Sequence, residues 1–439
     1  MPPITRRMAY WTLALLLLIN LVNYIDRWAL SAVLELINKD YEITDAQGGL
    51  LMTAFLVVYM LTSPLFGWLG DRWNRKGLIA FGIGLWSLAT AGAAFTRSYG
   101  QLFFTRTLVG VGEASYATIS PTLIADLFTK ETRGRTLALF YVAIPIGSAL
   151  GFILGGAIGG TFGWRAAFLI VGFPGLLLAL AILFTKEPAR GASDGLGNGS
   201  GHGHGKVRWK DVTGIARIPS YVWTTAGMTA MTFVMGGLAH WMPTYIARAF
   251  LGGETASHEE LRKMLQKANF GFGAITCVAG LLGTFVGGWL ADFWQKRNRA
   301  AYALVCGCGM LAGVPFAALA VFTSSLTVFW VAMFLCEFFL FWNWGPSNSI
   351  LLSVVEPRIR ATAFSVHILV THALGDALSP FLIGKTSDVL QAAGKSPGEA
   401  LGSALLLTPV VLAASGILYN LAGRHLSRDA GRALAAARA

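Results

Sequence analysis

Charge is scarce in this sequence. Asp, Glu, Lys and Arg make up 13% of its 439 residues and hydrophobic residues 55%, whereas a soluble globular chain carries about 25% charged residues. That scarcity excludes an ordinary soluble protein. Cysteine is scarce as well. Cys277, Cys306, Cys308 and Cys336 all lie inside apolar stretches, which excludes a disulfide framework. Cys306 and Cys308 point to different faces of a helix and make a poor metal or redox pair. No His-Glu-x-x-His helix occurs, and Gly384-Lys-Thr386 has Ser379 where a nucleotide-binding loop requires its first glycine. We therefore expect neither an enzyme nor a cofactor.

What the chain has is long apolar runs. Stretches of about twenty residues, the length that crosses a bilayer, fall near 8–36, 46–70, 78–96, 101–126, 135–160, 166–185, 219–249, 268–291, 300–323, 327–354, 360–385 and 401–423. The chain reads as an all-α polytopic membrane protein with twelve spans. The first run carries Asp26 and Arg27 and is too long for a cleavable signal, so it reads as a retained span.

The formal charge of +12 does not point to nucleic acid, because the basic residues sit in every second connection. They occur at Arg6 and Arg7, Arg72 to Lys76, Lys130 to Arg135, Lys186 to Arg217, Lys296 to Arg299, Arg358 and Arg360, and Arg424 to Arg438. The loops between them mix bases with acids. This is the positive-inside pattern, and it places both termini and the central linker in the cytoplasm of a plasma or inner membrane.

Residues 186–218 divide the chain: Gly191 to Gly205 is rich in Gly, Ser and Asn, followed by Lys206, Arg208 and Lys210. We expect an amino-terminal bundle over 1–185 and a carboxyl-terminal bundle over 219–439. His202 and His204 on a glycine tether are a solvated linker, not a metal site. The halves repeat. Gly67-Trp-Leu-Gly-Asp71-Arg72-Trp-Asn-Arg75-Lys76 returns as Gly288-Trp-Leu-Ala-Asp292-Phe-Trp-Gln-Lys296-Arg297, 221 positions on (288 − 67). Glu131-Thr-Arg133-Gly-Arg135-Thr returns as Glu356-Pro-Arg358-Ile-Arg360-Ala. Two six-span halves of the same orientation follow, an architecture associated with alternating access.

The first loop motif resembles the signature of the major facilitator superfamily. Within it, Asn23-Tyr24-Ile-Asp26-Arg27, Arg106-Thr-Leu-Val-Gly-Val-Gly-Glu113-Ala-Ser-Tyr116, Ser120 to Phe128 and His372-Ala-Leu-Gly-Asp376-Ala-Leu-Ser379-Pro resemble the spinster family of lysolipid and sphingosine-phosphate transporters. The resemblance implies two pseudo-symmetric six-helix bundles and an amphipathic lipid substrate with an anionic head group. It also implies that spans one and four line a central cavity, and that the working unit is a monomer among membrane lipids. The second loop motif departs from the pattern, with Phe293 where the first has Arg72.

The charged residues inside the spans carry the chemistry. Each costs roughly 2.5–3.5 kcal/mol at a helix centre by insertion scales, so such groups face a cavity or one another. On a helical wheel Asn20, Asn23, Tyr24, Asp26, Arg27 and Ser31 share an arc of roughly 160°. In span four Arg106, Gly110, Glu113, Ala117 and Ser120 share a face, with Arg106 and Glu113 about 10 Å apart along it. Arginine keeps its charge at any physiological pH, whereas carboxylates exchange protons. Asp26 and Glu113 are therefore the expected proton carriers, and Arg27 and Arg106 the expected head-group ligands. Both pairs also admit a plainer role as salt bridges that lock helices together.

Asn23, Tyr24 and Tyr116, with Glu337, Phe341, Asn343, Trp344, His367 and Thr371 from the carboxyl half, are expected to line the cavity. Glu337, Phe341 and Trp344 share one face of span ten, and His372, Asp376 and Ser379 one face of span eleven. Asp71, Arg72, Arg75, Lys76 and Asp292 are expected to form a cytoplasmic gate. The glycines from Gly147 to Gly160 read as close helix contact. A channel and a proton-coupled symporter of small organic anions such as sugar acids are the rival functions.

Overall fold

The computed structural model describes residues 5–189, 213–253, 255–356 and 359–438 and is helical, with no strand among them. The expected linker residues 190–212 and Arg358 lie outside the described residues. The helices are α1 (Arg6–Tyr41), α2 (Asp45–Arg72), α3 (Arg75–Ala93), α4 (Tyr99–Leu127), α5 (Lys130–Phe162) and α6 (Trp164–Leu183), followed by α7 (Pro219–Leu251), α8 (His258–Gln295) and α9 (Ala301–Phe322). Then come α10 (Leu326–Leu340), α11 (Trp344–Val354), α12 (Arg360–Thr371), α13 (Ser379–Ala392), α14 (Pro397–Leu405) and α15 (Leu407–Arg438).

Ten helical stretches among the described residues are long and apolar enough to cross a membrane. Two further helices, α4 and α7, have the length, at 29 and 33 residues, but not the apolarity. Arg106 and Glu113 in α4, and the threonines and glycines of α7, lower it. The helix starts follow local chemistry. Thr5, Asn74 and Ser98 each accept a hydrogen bond from a first-turn N–H, and Thr44 forms a reciprocal capping box with Gln47.

Three expected spans are interrupted, each just before a proline. Phe341–Asn343 is a 3-10 turn between α10 and α11, and His372–Asp376 is a π-helical turn between α12 and α13. Pro346 and Pro380 have no N–H for the carbonyls four residues earlier, at Trp342 and Asp376, so the α-ladder cannot run through. The single face expected for Glu337, Phe341 and Trp344 is therefore broken by the change of pitch. Pro409 likewise coincides with the break between α14 and α15, and α15 continues to Arg438, well past the expected end near 423.

The chain divides into two compact units: Met1–Gly203 with Thr255–Gly273, and His204–Glu254 with Ala274–Ala439. Within the first, α1 packs along α5. The glycines at 147, 151, 155 and 159 recur every four residues, and a Cβ on them would meet Tyr24 and Leu21, Ile25 and Trp28, Ala29 and Ala32, and Val33 in turn. That is the close contact expected of this stretch. The buried Asn269, on the part of α8 belonging to this unit, donates to the Ala32 carbonyl at 2.8 Å. Within the second unit, Gly375 lets the π-helical turn lie against Thr232 of α7, and Trp241 Nε1 donates to the Pro380 carbonyl at 2.9 Å.

Candidate functional site

The site of the first unit is built from four helices. From α1, Asp26 and Arg27 point in different directions because successive residues are about 100° apart. Asp26 is fully buried and turns to α3, where Thr90 Oγ1 donates to its Oδ2 at 2.6 Å. Arg27 turns to α4, where its Nη2 and Nε lie 2.6 and 3.2 Å from Glu113 Oε2. The Arg27 guanidinium also sits over three rings, those of Tyr24, Phe55 and Tyr59, at 4.8, 5.1 and 5.5 Å.

Helix α4 reaches this position because it is glycine where it meets its neighbours. A Cβ on Gly110 would lie 2.5 Å from the Phe55 carbonyl of α2, and one on Gly112 would lie 2.5 Å from the Gly82 carbonyl of α3. Arg106, one turn before Gly110, is 0% exposed, and its guanidinium shares the Phe55 ring with Arg27, at 5.5 Å. It interacts electrostatically with Asp26 and Glu113. None of its three nitrogens has a hydrogen-bond partner among the described residues, and neither have Asp26 Oδ1, Glu113 Oε1 and Asn23 Nδ2. Buried polar groups are satisfied in the great majority of cases, so unmet donors and acceptors around one arginine make this cluster the candidate binding site.

The structure thus brings Tyr24, Asp26, Arg27, Arg106 and Glu113 together, with Asn23 buried about one turn earlier on α1. Tyr116 is enclosed instead: its hydroxyl donates to the Leu16 carbonyl at 2.6 Å and its ring packs edge-on to Trp86. Asn20, part of the same polar arc, ties α1 to the Phe140 carbonyl of α5. Phe55, Tyr59 and Thr90 are site residues that sequence reading missed. Nothing in the sequence singled them out, since α2 also carries Thr53, Thr62, Phe66 and Trp68, and α3 also carries Phe81, Trp86 and Ser87.

In the second unit the candidates Glu337, Asn343, His367 and Thr371 are each engaged with partners of their own. Glu337 is buried and accepts from Thr276 Oγ1 at 3.1 Å, while its Oε2 has no partner among the described residues. Phe341 packs over Gly280 and Gly283, and Asn343 donates to the Leu340 carbonyl. Trp344 is half-buried at the start of α11. His367 Nδ1 lies 2.9 Å from Thr225 Oγ1, and Thr371 donates to the Ile368 carbonyl. His372 Nδ1 lies 2.9 Å from Asp376 Oδ2 across the π-helical turn.

In the loop motif the residues part company. Arg75 is buried, bonding Asp126 at 2.6 Å, Glu187 at 3.1 Å and the Pro188 carbonyl at 2.9 Å. Lys76 donates to the carbonyls of Leu183 and Thr185. These two residues fasten the starts of α3 to the ends of α4 and α6 within one unit. Asp71 and Arg72 are exposed, Arg72 lying over Trp68, and Asp292 accepts from the Tyr302 hydroxyl at 2.9 Å.

Membrane-length helices and a buried acid–arginine cluster within one half are features of a secondary transporter. A family model described as the Major Facilitator Superfamily matches residues 16–380. The solved structure of a bacterial homolog to the human lysosomal transporter Spinster, in an inward-facing and unoccupied conformation, is similar at a TM-score of 0.85. Its sequence is 25% identical, and the match covers 97% of this chain and 99% of that one.

Among curated proteins, spinster homolog 1 of Xenopus tropicalis is 39% identical, with 95% of this chain and 81% of the relative aligned. Human spinster homolog 1 is also 39% identical, over 96% and 81%. The chain belongs to the spinster family of the major facilitator superfamily. It is an integral membrane protein with the fold of that superfamily, a secondary transporter of small molecules.

Proposed function

We propose that this transporter carries an amphipathic lipid with an anionic head group, of the lysophospholipid or sphingosine-phosphate kind, by alternating access coupled to protons. Arg106 carries the reading. A guanidinium presents five N–H donors in a planar fork matched to phosphate or carboxylate. This one is fully buried without a hydrogen-bonded partner among the described residues, so an anion would satisfy it. Arg27 is the second head-group ligand once Glu113 lets it go, and protonation of Glu113 or Asp26 is the event that frees the arginines. Because protonation permits anion binding at the same cluster, proton and anion occupy it together, which is symport chemistry. The protein works as a monomer in a plasma or inner membrane with both termini cytoplasmic, its halves spanning 1–185 and 219–439 about the linker 186–218.

The test is reconstitution into liposomes with an imposed pH gradient and a fluorescent lysophospholipid. Gradient-driven movement is expected for the parent protein, its loss for Asp26→Asn, and loss of binding itself for Arg106→Gln. A parent that ignores the gradient, or an Asp26→Asn protein that still follows it, removes the proton from the scheme. A homologous series of tails separates lipid from sugar acid. Each added methylene is expected to tighten binding about fourfold, from ~0.8 kcal/mol per buried CH₂, and a flat series means a small polar anion is the substrate.

A further inference from the structure

The second unit carries a groove that the acid–arginine cluster does not use. It is lined by α7 and α12 and by Val411 of α15, and its volume is about 510 Å³. Val222, Ala226 and Ala230 recur every fourth residue on α7, facing Val366, Val370 and Leu374 at the same spacing along α12 and the turn after it. Alanines opposite valines leave a trough.

Its polar wall groups are already bonded within the protein. Thr225 Oγ1 pairs with His367 Nδ1 at 2.9 Å, and Thr229 Oγ1 donates to the Thr225 carbonyl at 2.8 Å. What remains for an occupant is hydrocarbon. The lining extends from Tyr221 to Phe233 along α7, about 18 Å at 1.5 Å per residue. One leaflet of a bilayer is about 15 Å of hydrocarbon, half of a ~30 Å core. The groove has the length of a single leaflet, and Val222 and Leu374 on its rim are exposed.

One end is charged. Ile215 and Ala216 line the groove where the chain enters α7, and the exposed Arg217 follows immediately. The acid nearby, Asp429, is engaged by the Ser220 N–H and hydroxyl and by Arg428 Nε. Arginines beside a groove between membrane helices attract anionic lipid head groups.

We infer that this groove holds one acyl chain of an anionic membrane phospholipid, from the leaflet on the linker side, with its phosphate on Arg217. The site is separate from the transported ligand and does not depend on what that ligand is. The lipid fills the trough between α7 and α12 and covers the exposed Val222 and Leu374.

The experiment is native mass spectrometry of the full chain after exchange into nanodiscs of equal phosphatidylglycerol and phosphatidylcholine. The parent and an Arg106→Gln protein are compared, so that lipid at the acid–arginine cluster is distinguished. About fivefold enrichment of phosphatidylglycerol is expected in both, the contribution of one arginine at the membrane surface. Arg217→Gln, at an exposed position, is expected to bring the ratio to parity while leaving a chain bound. Ala230→Leu, which fills the trough, is expected to lower the number of retained lipids of either kind. Parity in the parent overturns the inference, as does an enrichment untouched by Arg217→Gln, one that disappears with Arg106→Gln, or retention unchanged by Ala230→Leu.

Discussion

The Arg27–Glu113 pair can be tested as a coupled unit by a double-mutant cycle. Glu113 is 0% exposed and Arg27 14%, so the relevant scale is that of a buried pair rather than a surface one. Removing one partner of such a pair costs about 3–5 kcal/mol, because the other charge is left uncompensated. In Glu113→Gln the orphaned guanidinium keeps the rings of Tyr24, Phe55 and Tyr59, which offset about 1–2 kcal/mol. The net expectation is a loss of about 2–3 kcal/mol, or a fall in Tm on the order of 5–10 °C for a unit of this size. Arg27→Gln strands the carboxylate instead and should cost at least as much.

The double variant leaves two neutral amides that can bond each other. It should therefore cost little more than either single change, with a coupling energy of about 2 kcal/mol. Thermal unfolding in detergent, followed by tryptophan fluorescence, measures all four corners of the cycle. Additivity within about 0.5 kcal/mol would refute the reasoning, since it would mean that the two groups do not sense each other in the folded protein.

Four further outcomes are expected. Asp26→Asn keeps the Thr90 contact and the shape of the site, so its Tm should stay near that of the parent while gradient-driven transport is lost; a large fall in Tm would make Asp26 a structural tie. Arg75→Ala should lower Tm by an amount corresponding to about 3 kcal/mol, since Asp126 and Glu187 both face it, and Arg75→Lys should not restore it, because a point ammonium cannot reproduce a fork serving three acceptors; full rescue by lysine would show that charge alone matters. Gly110→Val should destabilise by about 1–3 kcal/mol and weaken ligand binding by driving Phe55 and Tyr59 away. Gly84→Ala, where a Cβ meets nothing within 4 Å, should be neutral or stabilise by up to about 1 kcal/mol in the same melting assay.

Much of the site was legible before any coordinates. Charged groups in hydrocarbon are so unfavourable that Asp26, Arg27, Arg106 and Glu113 announced themselves against an apolar background. The glycine stripe of α5 was legible for a related reason, since a period of four small residues on one helix specifies contact along a single face. The interruptions were not read, although Pro346, Pro380 and Pro409 stood in the sequence. A proline permits a kink, a 3-10 turn or a π turn, and the choice falls to the packing around it.

The sequence by itself determined the places of the membrane-length helices, the internal repeat and the identity of the buried charges, because bilayer thickness and the energy of placing charge in hydrocarbon act residue by residue. The tertiary structure alone decided pairing: that adjacent Asp26 and Arg27 turn to different helices, that Arg75 is a buried fastener while Asp71 stays exposed, and that Arg106 keeps unmet donors. Pairing depends on which helices approach within hydrogen-bonding distance, and that distance is set by glycines and rings on neighbouring helices far away in the chain.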